Sequence, residues 1–319
     1  MTINFYDAVE VEALLDYPGC TEAMRRAMAA LSTGEREQPL RQIWPIGNAG
    51  SWGIMPGELA AMSTFGAKLV SVFADLERPG CTRHRGVVVA YDGETGEVSC
   101  IADAEQITKI RTGCATAAAT DALARSDAEV LAIFGTGVQA EAHLLAVPPV
   151  RPFNEILLWG RSPEKTRAFA DRMSEEIGRA ITTVARAEEA TRRADVICTV
   201  TSSREPVVLS DWVKSGTHIN AVGSSYLGPV EIDPALVARS RYVADYRPGA
   251  LAQGAELAAA REAGLIDDGF EVVEIGEVFA GRVPGRENDS QVTIYKSLGH
   301  VVQDLAAAVY LRERASARG

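Results

Sequence analysis

The stretch Val130-Leu131-Ala132-Ile133-Phe134-Gly135-Thr136-Gly137-Val138-Gln139-Ala140-Glu141-Ala142-His143-Leu144-Leu145 decides the fold. Five consecutive apolar residues suit a strand buried on both faces. A glycine pair ends that run, and apolar and small residues then recur at helical spacing through Leu145. Strand, glycine turn and helix, in that order, form the context in which G-x-G-x-x-(G/A) reads as a dinucleotide-binding turn. Gly135 permits the sharp turn, Gly137 leaves the backbone open to a pyrophosphate, and Ala140 lets the helix pack closely on the strand. The free N–H groups of the first helical turn then face the phosphates, with the positive end of the helix dipole behind them. An ordinary strand–helix turn without a ligand is the competing reading, and the two flanking elements weigh against it.

Outward from this stretch, strands and helices alternate. Glu155–Trp159, 181–184, Asp195–Val200, Thr217–Val222 and Tyr242–Asp245 read as strands, with helices over Pro163–Ile177 and Ala187–Arg193 between the first three. That rhythm predicts a doubly wound parallel sheet over about 125–290. Toward the N-terminus, 7–32 reads as helices broken at Tyr17-Pro18-Gly19. Residues 38–101 read as strands, with a Gly-rich turn at 47–53 and a hairpin turn at Asp92-Gly93-Glu94-Thr95-Gly96-Glu97. An alanine-rich helical region covers 103–125, and Val292 to Arg314 reads as one long helical stretch. The fold class is therefore α/β: a Rossmann doubly wound sheet plus a smaller α+β domain.

Composition narrows the function classes. The chain has 319 residues, a net charge of −11 and 47% hydrophobic residues, enough for a large core. No dense lysine–arginine cluster marks a nucleic-acid partner. The five cysteines, Cys20, Cys81, Cys100, Cys114 and Cys198, are far apart and form no CxxC pair. They fit a reducing compartment, and neither a disulfide framework nor a metal site. The start of the chain lacks the basic and apolar regions of a signal peptide, and no run of about 18 apolar residues predicts a membrane span. A cytoplasmic protein is expected.

The second strand bears on the cofactor. NAD-binding units usually end it with an acid that holds the ribose 2′-OH. Here that place reads Trp159-Gly160-Arg161-Ser162. Arg161 can meet the 2′-phosphate of NADP, stack on adenine, or stand as a solvated loop residue. NAD and NADP both remain open. Candidates for chemistry lie before residue 125: Arg41, Lys68, Arg83, His84, Arg85 and Arg111. Lys68 sits in an alternating apolar strand, where a charge is unexpected. Held there, it can protonate or polarise a substrate carbonyl or imine. A lysine facing water on an edge strand is the competing reading. Arg41 and Arg111 can fork onto a carboxylate, or form ordinary surface ion pairs.

Seven patches in order resemble the ornithine cyclodeaminase/mu-crystallin family. They are Pro39-Leu40-Arg41, Gly66-Ala67-Lys68, His84-x-Gly86, Ile107-Thr108-x-x-Arg111-Thr112, Gly135-Thr136-Gly137-x-Gln139-Ala140, Ile219-Asn220-Ala221-Val222-Gly223, and Ser297-Leu298-Gly299 with Asp304. The resemblance implies a substrate-binding and dimerisation domain over 1–118, a Rossmann domain over 119–294, and a C-terminal helix, 295–319, returning to the first. It implies a homodimer that works on α-amino or α-imino acids with a nicotinamide cofactor. By position, Arg41, Lys68 and Arg111 would bind the substrate carboxylate, with Lys68 also the catalytic cation. Thr112, Gly135, Thr136, Gly137, Val138, Gln139, Arg161, Thr201, Ser202 and Val222 would touch the cofactor, and Gly299 would sit near the nicotinamide.

One departure selects the branch. Cyclodeaminases carry an aspartate shortly after the Asn-Ala-Val-Gly strand, and the matching position here is Ser225. A hydroxyl lacks a carboxylate's charge and basicity at neutral pH. Serine there resembles the ketimine reductase branch, so net imine reduction is expected. Arg41 and Arg111 would clamp the carboxylate, while Lys68, or a water it holds with Ser225, stabilises charge or gives a proton. Arg83-His84-Arg85 adds basic groups that can bind a second carboxylate, which suggests a dicarboxylic imine such as iminosuccinate, giving aspartate; either arginine can equally face solvent. His143 and His218 read as packing or capping residues, and His300 as a weaker site candidate. Cyclodeamination with bound NAD and non-catalytic binding of a small molecule are the competing functions.

Overall fold

The computed structural model describes residues 3–47, 50–73 and 84–318. The chain forms two compact units, one of residues 1–111 with 300–319, the other of 112–299. The divisions therefore fall at 111/112 and 299/300, a few residues from the 118/119 and 294/295 that the family resemblance implies. No loop marks the first crossing, because one helix, Ala104–Leu123, runs straight through it.

The first unit is built on a six-stranded sheet. Its strands are β1 (Phe5–Tyr6), β2 (Gln42–Ile46), β3 (Gly50–Leu59), β4 (Thr64–Phe73), β5 (His84–Asp92) and β6 (Val98–Asp103). Their order is β1-β6-β5-β4-β3-β2, antiparallel except for the parallel β1–β6 pair. The expected hairpin joins β5 to β6. The Asp92 carboxylate accepts from the N–H groups of Glu94 and Thr95, and Gly96 takes φ +71°. Helix α1 (Ala8–Leu14) starts at a capping box of Asp7 and Glu10. Helix α2 (Tyr17–Thr33) starts at Asp16, so Pro18 falls in its first turn, where proline is well tolerated, and does not break it. The break between the helices is only Leu15-Asp16. The expected Gly-rich turn is also shorter than 47–53, since β3 already begins at Gly50.

The C-terminal helix (Val301–Ser316) covers one face of this sheet. Glycines let it come close: a Cβ at Gly57 would lie 2.4 Å from the Val301 side chain, and one at Gly66 3.1 Å from Leu305. The other face carries Trp44, Trp52, Ile54, Phe65, Leu69, Val87 and Tyr91, none of them fully buried. The Trp44 and Trp52 rings sit 5.5 Å apart, and Phe65 stacks on Tyr91 at 5.0 Å.

The second unit holds an eight-stranded, fully parallel sheet. Its strands are β7 (Val130–Phe134), β8 (Glu155–Trp159), β9 (Thr182–Thr183), β10 (Val196–Thr199), β11 (His218–Ala221), β12 (Arg241–Ala244), β13 (Val273–Glu274) and β14 (Thr293–Lys296). The order β13-β12-β14-β11-β10-β7-β8-β9 makes β7 and β10 neighbours on which the winding reverses. Ligands of such sheets bind outside the strands' carboxyl ends at that switch point. Helix α3 (Ala104–Leu123) precedes β7, α4 (Val138–Ala146) follows it, and α5 (Pro163–Ile177) follows β8.

The C-terminal expectation is also overturned. Val292–Arg314 is not a single helix: Thr293–Lys296 is β14, fully buried between β11 and β12, and the helix begins only at Val301. Thr-Ile-Tyr has strand propensity, and Gly299 at φ +78° turns the chain between the two elements. The sheet therefore extends past residue 290, and β13 and β14 are strands that the periodicity did not reveal.

Candidate functional site

In the second unit, the turn after β7 has the shape its sequence predicted. Gly135 takes φ +125°, and its N–H donates to the Trp159 carbonyl at 2.9 Å. A Cβ there would sit 2.9 Å from the Val200 carbonyl oxygen, so the position admits only glycine. Gly137 is the N-cap of α4, and no side chain caps the helix. A Cβ on Gly137 would meet nothing within 4 Å, and Val138 is 55% exposed. Open space above uncapped N–H groups at a switch point fits a dinucleotide pyrophosphate. Ala140 is fully buried, as close helix–strand packing requires. Arg161 is exposed after β8, beside Ser162, which caps α5.

The loops after β10 and β11 are tied together by a residue that the sequence did not single out. Glu231 is fully buried and accepts four hydrogen bonds: from Thr201 N–H at 2.6 Å, Thr201 Oγ1 at 2.7 Å, Gly223 N–H at 2.6 Å and Thr199 Oγ1 at 2.9 Å. Burial pushes its carboxyl pKa up, and the hydrogen bonds from Thr201 and the charge of Lys296 oppose that shift. A Cβ on Gly223 would lie 2.5 Å from this carboxylate, which accounts for the glycine. Ser202 is exposed, Val222 and Thr112 are buried, and Ser225 is half-buried. The Ser224 carbonyl, next to Ser225, accepts from Lys296 Nζ at 2.6 Å, and Lys296 pairs with Glu256 at 2.7 Å, both wholly buried. Gly299 N–H donates to Asp245 at 2.6 Å, and Leu298 N–H to the same oxygen at 2.8 Å.

The first unit gathers the charged candidates. Lys68 lies in β4, paired with Met55 on β3 and Val88 on β5, on the face covered by the C-terminal helix. It is 6% exposed and not on an edge strand. Its Nζ donates to Thr108 Oγ1 at 2.5 Å and pairs with Asp304 Oδ1 at 3.4 Å. Thr108 Oγ1 in turn donates to the Ala104 carbonyl, so its lone pairs face the lysine. Arg111 Nε donates to the same Asp304 oxygen at 3.0 Å, and Nη1 to Gln303 Oε1 at 2.7 Å. Asp304 is wholly buried, and its Oδ2 has no hydrogen-bond partner among the described residues.

Burial lowers the Lys68 pKa to about 8; Asp304 opposes this, while Arg111 and Arg41 add to it. Arg41 is half-buried just before β2, and its charge also bears on His300. His300 caps the C-terminal helix, accepting from Val302 N–H, and burial lowers its pKa to about 4. Lys68 and Arg111 thus share one carboxylate oxygen while the charge of Arg41 also bears on the lysine, an arrangement whose chemistry suits an anion beside a proton-bearing amine.

Not every candidate joins it. Arg85 pairs with Ser71, and alternation puts it on the sheet face opposite Lys68, where it is exposed. Arg83 and the side chain of His84 lie outside the described residues. His143 bridges the Gln139 carbonyl and Thr116 Oγ1, and His218 bridges Thr293 Oγ1 and Asn220 Oδ1, so both serve packing.

Asp304 enters the sequence pattern only as a position matching the family, and its partners, Lys68 and Arg111, lie far from it in the chain. The usable signal is a Gln303-Asp304 pair inside an otherwise apolar run from Val301 to Val309, since a carboxylate buried in such a helix needs a cation. Glu231 and Asp245 offer no comparable signal.

Comparison with known proteins places the whole chain in one family. The model of the ornithine cyclodeaminase/mu-crystallin family matches residues 2–319. A Δ1-pyrroline-2-carboxylate reductase of Bacillus cereus is 34% identical over 295 residues, 92% of this chain and 90% of that one. The structure of Thermococcus litoralis Δ1-pyrroline-2-carboxylate reductase with NADH and L-proline superposes with a TM-score of 0.92 at 32% identity, covering 99% of this chain and 98% of that one. The iminosuccinate reductase of Paracoccus denitrificans with NAD+ gives a TM-score of 0.93 at 30% identity, covering 99% and 97%. With a glycine cradle on a doubly wound sheet in one unit and the Lys68–Arg111–Asp304 cluster in the other, the chain belongs to the ornithine cyclodeaminase/mu-crystallin family.

Proposed function

We propose that this chain is an NAD(P)H-dependent reductase that converts an α-imino acid into the L-amino acid. The observation that carries the proposal is the buried Lys68 ammonium set beside Arg111 and the charge of Arg41. The nicotinamide, when bound, supplies a hydride to the imine carbon. Arg41 and Arg111 hold the substrate carboxylate and fix the orientation of the C=N group. Lys68 gives its proton to the imine nitrogen as electrons arrive there, and regains one from water. A pKa of about 8 leaves the amine charged at neutral pH yet ready to release a proton. When bound, the cofactor would be held by Gly135 to Gln139 at its pyrophosphate, by Thr112, Thr201, Ser202 and Val222 along the rest of its length and by Arg161 at its adenosine end, with Gly299 near the nicotinamide. Ser225 provides a hydroxyl in place of the carboxylate that cyclodeamination needs.

The described residues suit a substrate with one carboxylate. A dicarboxylic imine such as iminosuccinate, which the Paracoccus relative's name specifies, would need Arg83 or His84, because Arg85 lies on the other sheet face. The exposed apolar face around Trp44, Trp52 and Phe65 supports a homodimer formed through the first unit. Four buried free cysteines among the described residues support a reducing, cytoplasmic setting.

The test is a panel of cyclic imino acids, and of α-keto acids with ammonia or methylamine, each run with NADH and with NADPH. Coenzyme oxidation with at least one imino acid is expected. Ammonia release from a diamino acid without net coenzyme change would indicate a cyclodeaminase, and tight ligand binding with no turnover a carrier.

A further inference from the structure

We infer that Asp304 is the positioning residue that keeps Lys68 charged in its buried site, and so sets the alkaline limit of the reaction. The inference rests on the reading of Lys68 as the proton donor, and it goes beyond that reading by assigning the control of the proton to a residue 236 positions away in the chain.

Every element packed around Lys68 bears on its charge. From α3, Arg111 repels the ammonium and Thr108 offers a neutral oxygen at 2.5 Å. Arg41, before β2, adds a second repulsion. Met55 and Val88, on the flanking strands, are apolar and supply no compensation. His300, one turn before Asp304, stays neutral above pH of about 4. Asp304 alone among the described neighbours contributes negative charge, through the same Oδ1 that receives Arg111. Two guanidinium groups and burial all push the other way, because desolvation and like charge both favour the neutral amine.

The partition of Asp304's two oxygens supports a role aimed at the cations. Oδ1 takes both Lys68 and Arg111, while Oδ2 has no hydrogen-bond partner among the described residues although it is wholly buried. Gln303 meanwhile takes Arg111 Nη1, which leaves the guanidinium oriented when Asp304 is changed.

The chain has five lysines, Lys68, Lys109, Lys165, Lys214 and Lys296. Their ¹³Cε signals can therefore be assigned one by one with Lys→Arg variants, and Lys68 titrated directly by NMR without any substrate. In Asp304→Asn, a change of the same shape that keeps one acceptor oxygen, the Lys68 midpoint should fall by about one unit or more. The alkaline limb of kcat/KM should move down by the same amount, with Asp304→Glu restoring part of both shifts. Should Asp304→Asn fold poorly, Asp304→Asn/Arg111→Gln removes the opposing pair together, and its Lys68 midpoint should lie between those of Asp304→Asn and the wild type. A Lys68 midpoint unchanged in these variants overturns the inference. A shifted midpoint with an unshifted rate limb would uphold the hold of Asp304 on the Lys68 charge, and would overturn both its control of the alkaline limit and Lys68 as the proton donor.

Discussion

The two candidate sites, one in each unit, are built from opposite materials. The cradle after β7 uses backbone: Gly135 and Gly137, an uncapped helix start, and open space where a side chain would be. The cluster on β4 uses side chains: Lys68, Arg111 and Asp304, all less than a tenth exposed. Backbone dipoles need no desolvated charge and tolerate any phosphate-bearing cofactor of the right shape. Buried side-chain charges are expensive to desolvate, and are kept where a reaction needs a proton or a fixed counter-charge. The contrast teaches that one site is a matter of space and the other a matter of charge balance, so different substitutions should damage them.

The largest effect should come from Lys68→Met. Losing a general acid slows turnover by about 10²–10⁴-fold, while cofactor binding, measured by fluorescence titration, stays within about twofold. Thermal stability should hold or rise, since a lysine whose pKa falls to about 8 is a strained buried charge, and Arg111 still pairs with Asp304 once it is gone. A variant that lost stability and cofactor binding together would erase the contrast between the units.

An acid titration of stability comes next. Burial lowers the pKa of His143 to about 4 and of His218 to about 3, both in the second unit. The unfolded chain takes up protons below about pH 6.5, whereas the folded chain resists until these lower values. Stability is therefore fully present above pH 6.5 and is lost as pH falls from there toward 4, by about 3 kcal/mol for each of the two. Denaturant unfolding at stepped pH, with His143→Gln flattening the slope, checks the sign and size. A flat profile between pH 6.5 and 4 would contradict it.

The two glycines provide the finest division. Gly135→Ala should lower stability by about 1–3 kcal/mol, because the residue sits at φ +125° and its Cβ would crowd the Val200 carbonyl. Gly137→Val should leave the melting temperature nearly unchanged and weaken NADH binding about tenfold or more, because its side chain would stand in the open space above the turn. Paired melting curves and coenzyme titrations separate the two.

The same contrast decides what was legible in the sequence. The cradle is local: strand, glycines and helix lie within sixteen residues, so periodicity and turn chemistry were enough to describe it. Lys68 stood out because it interrupts an alternating strand. Its partner is 236 residues away, and no spacing rule connects them. Glu231 was equally hidden, since its four donors come from three separate positions on two strand ends. The stretch from Val292 misled because its residues are buried on every side in β14, where period 2 leaves no trace and an apolar run looks helical. Arg85 stands on the sheet face opposite Lys68 because its partner Ser71 is three residues along β4, an odd step that alternation turns to the other face.

The most direct test of the central claim is stoichiometry. The enzyme is given NADH and a cyclic α-imino acid, and coenzyme oxidised is counted against L-amino acid formed. One NADH should be oxidised for each L-amino acid formed, with no ammonia released. Ammonia appearing from a diamino acid while the coenzyme stays unchanged, or an L-amino acid absent despite NADH loss, would contradict it.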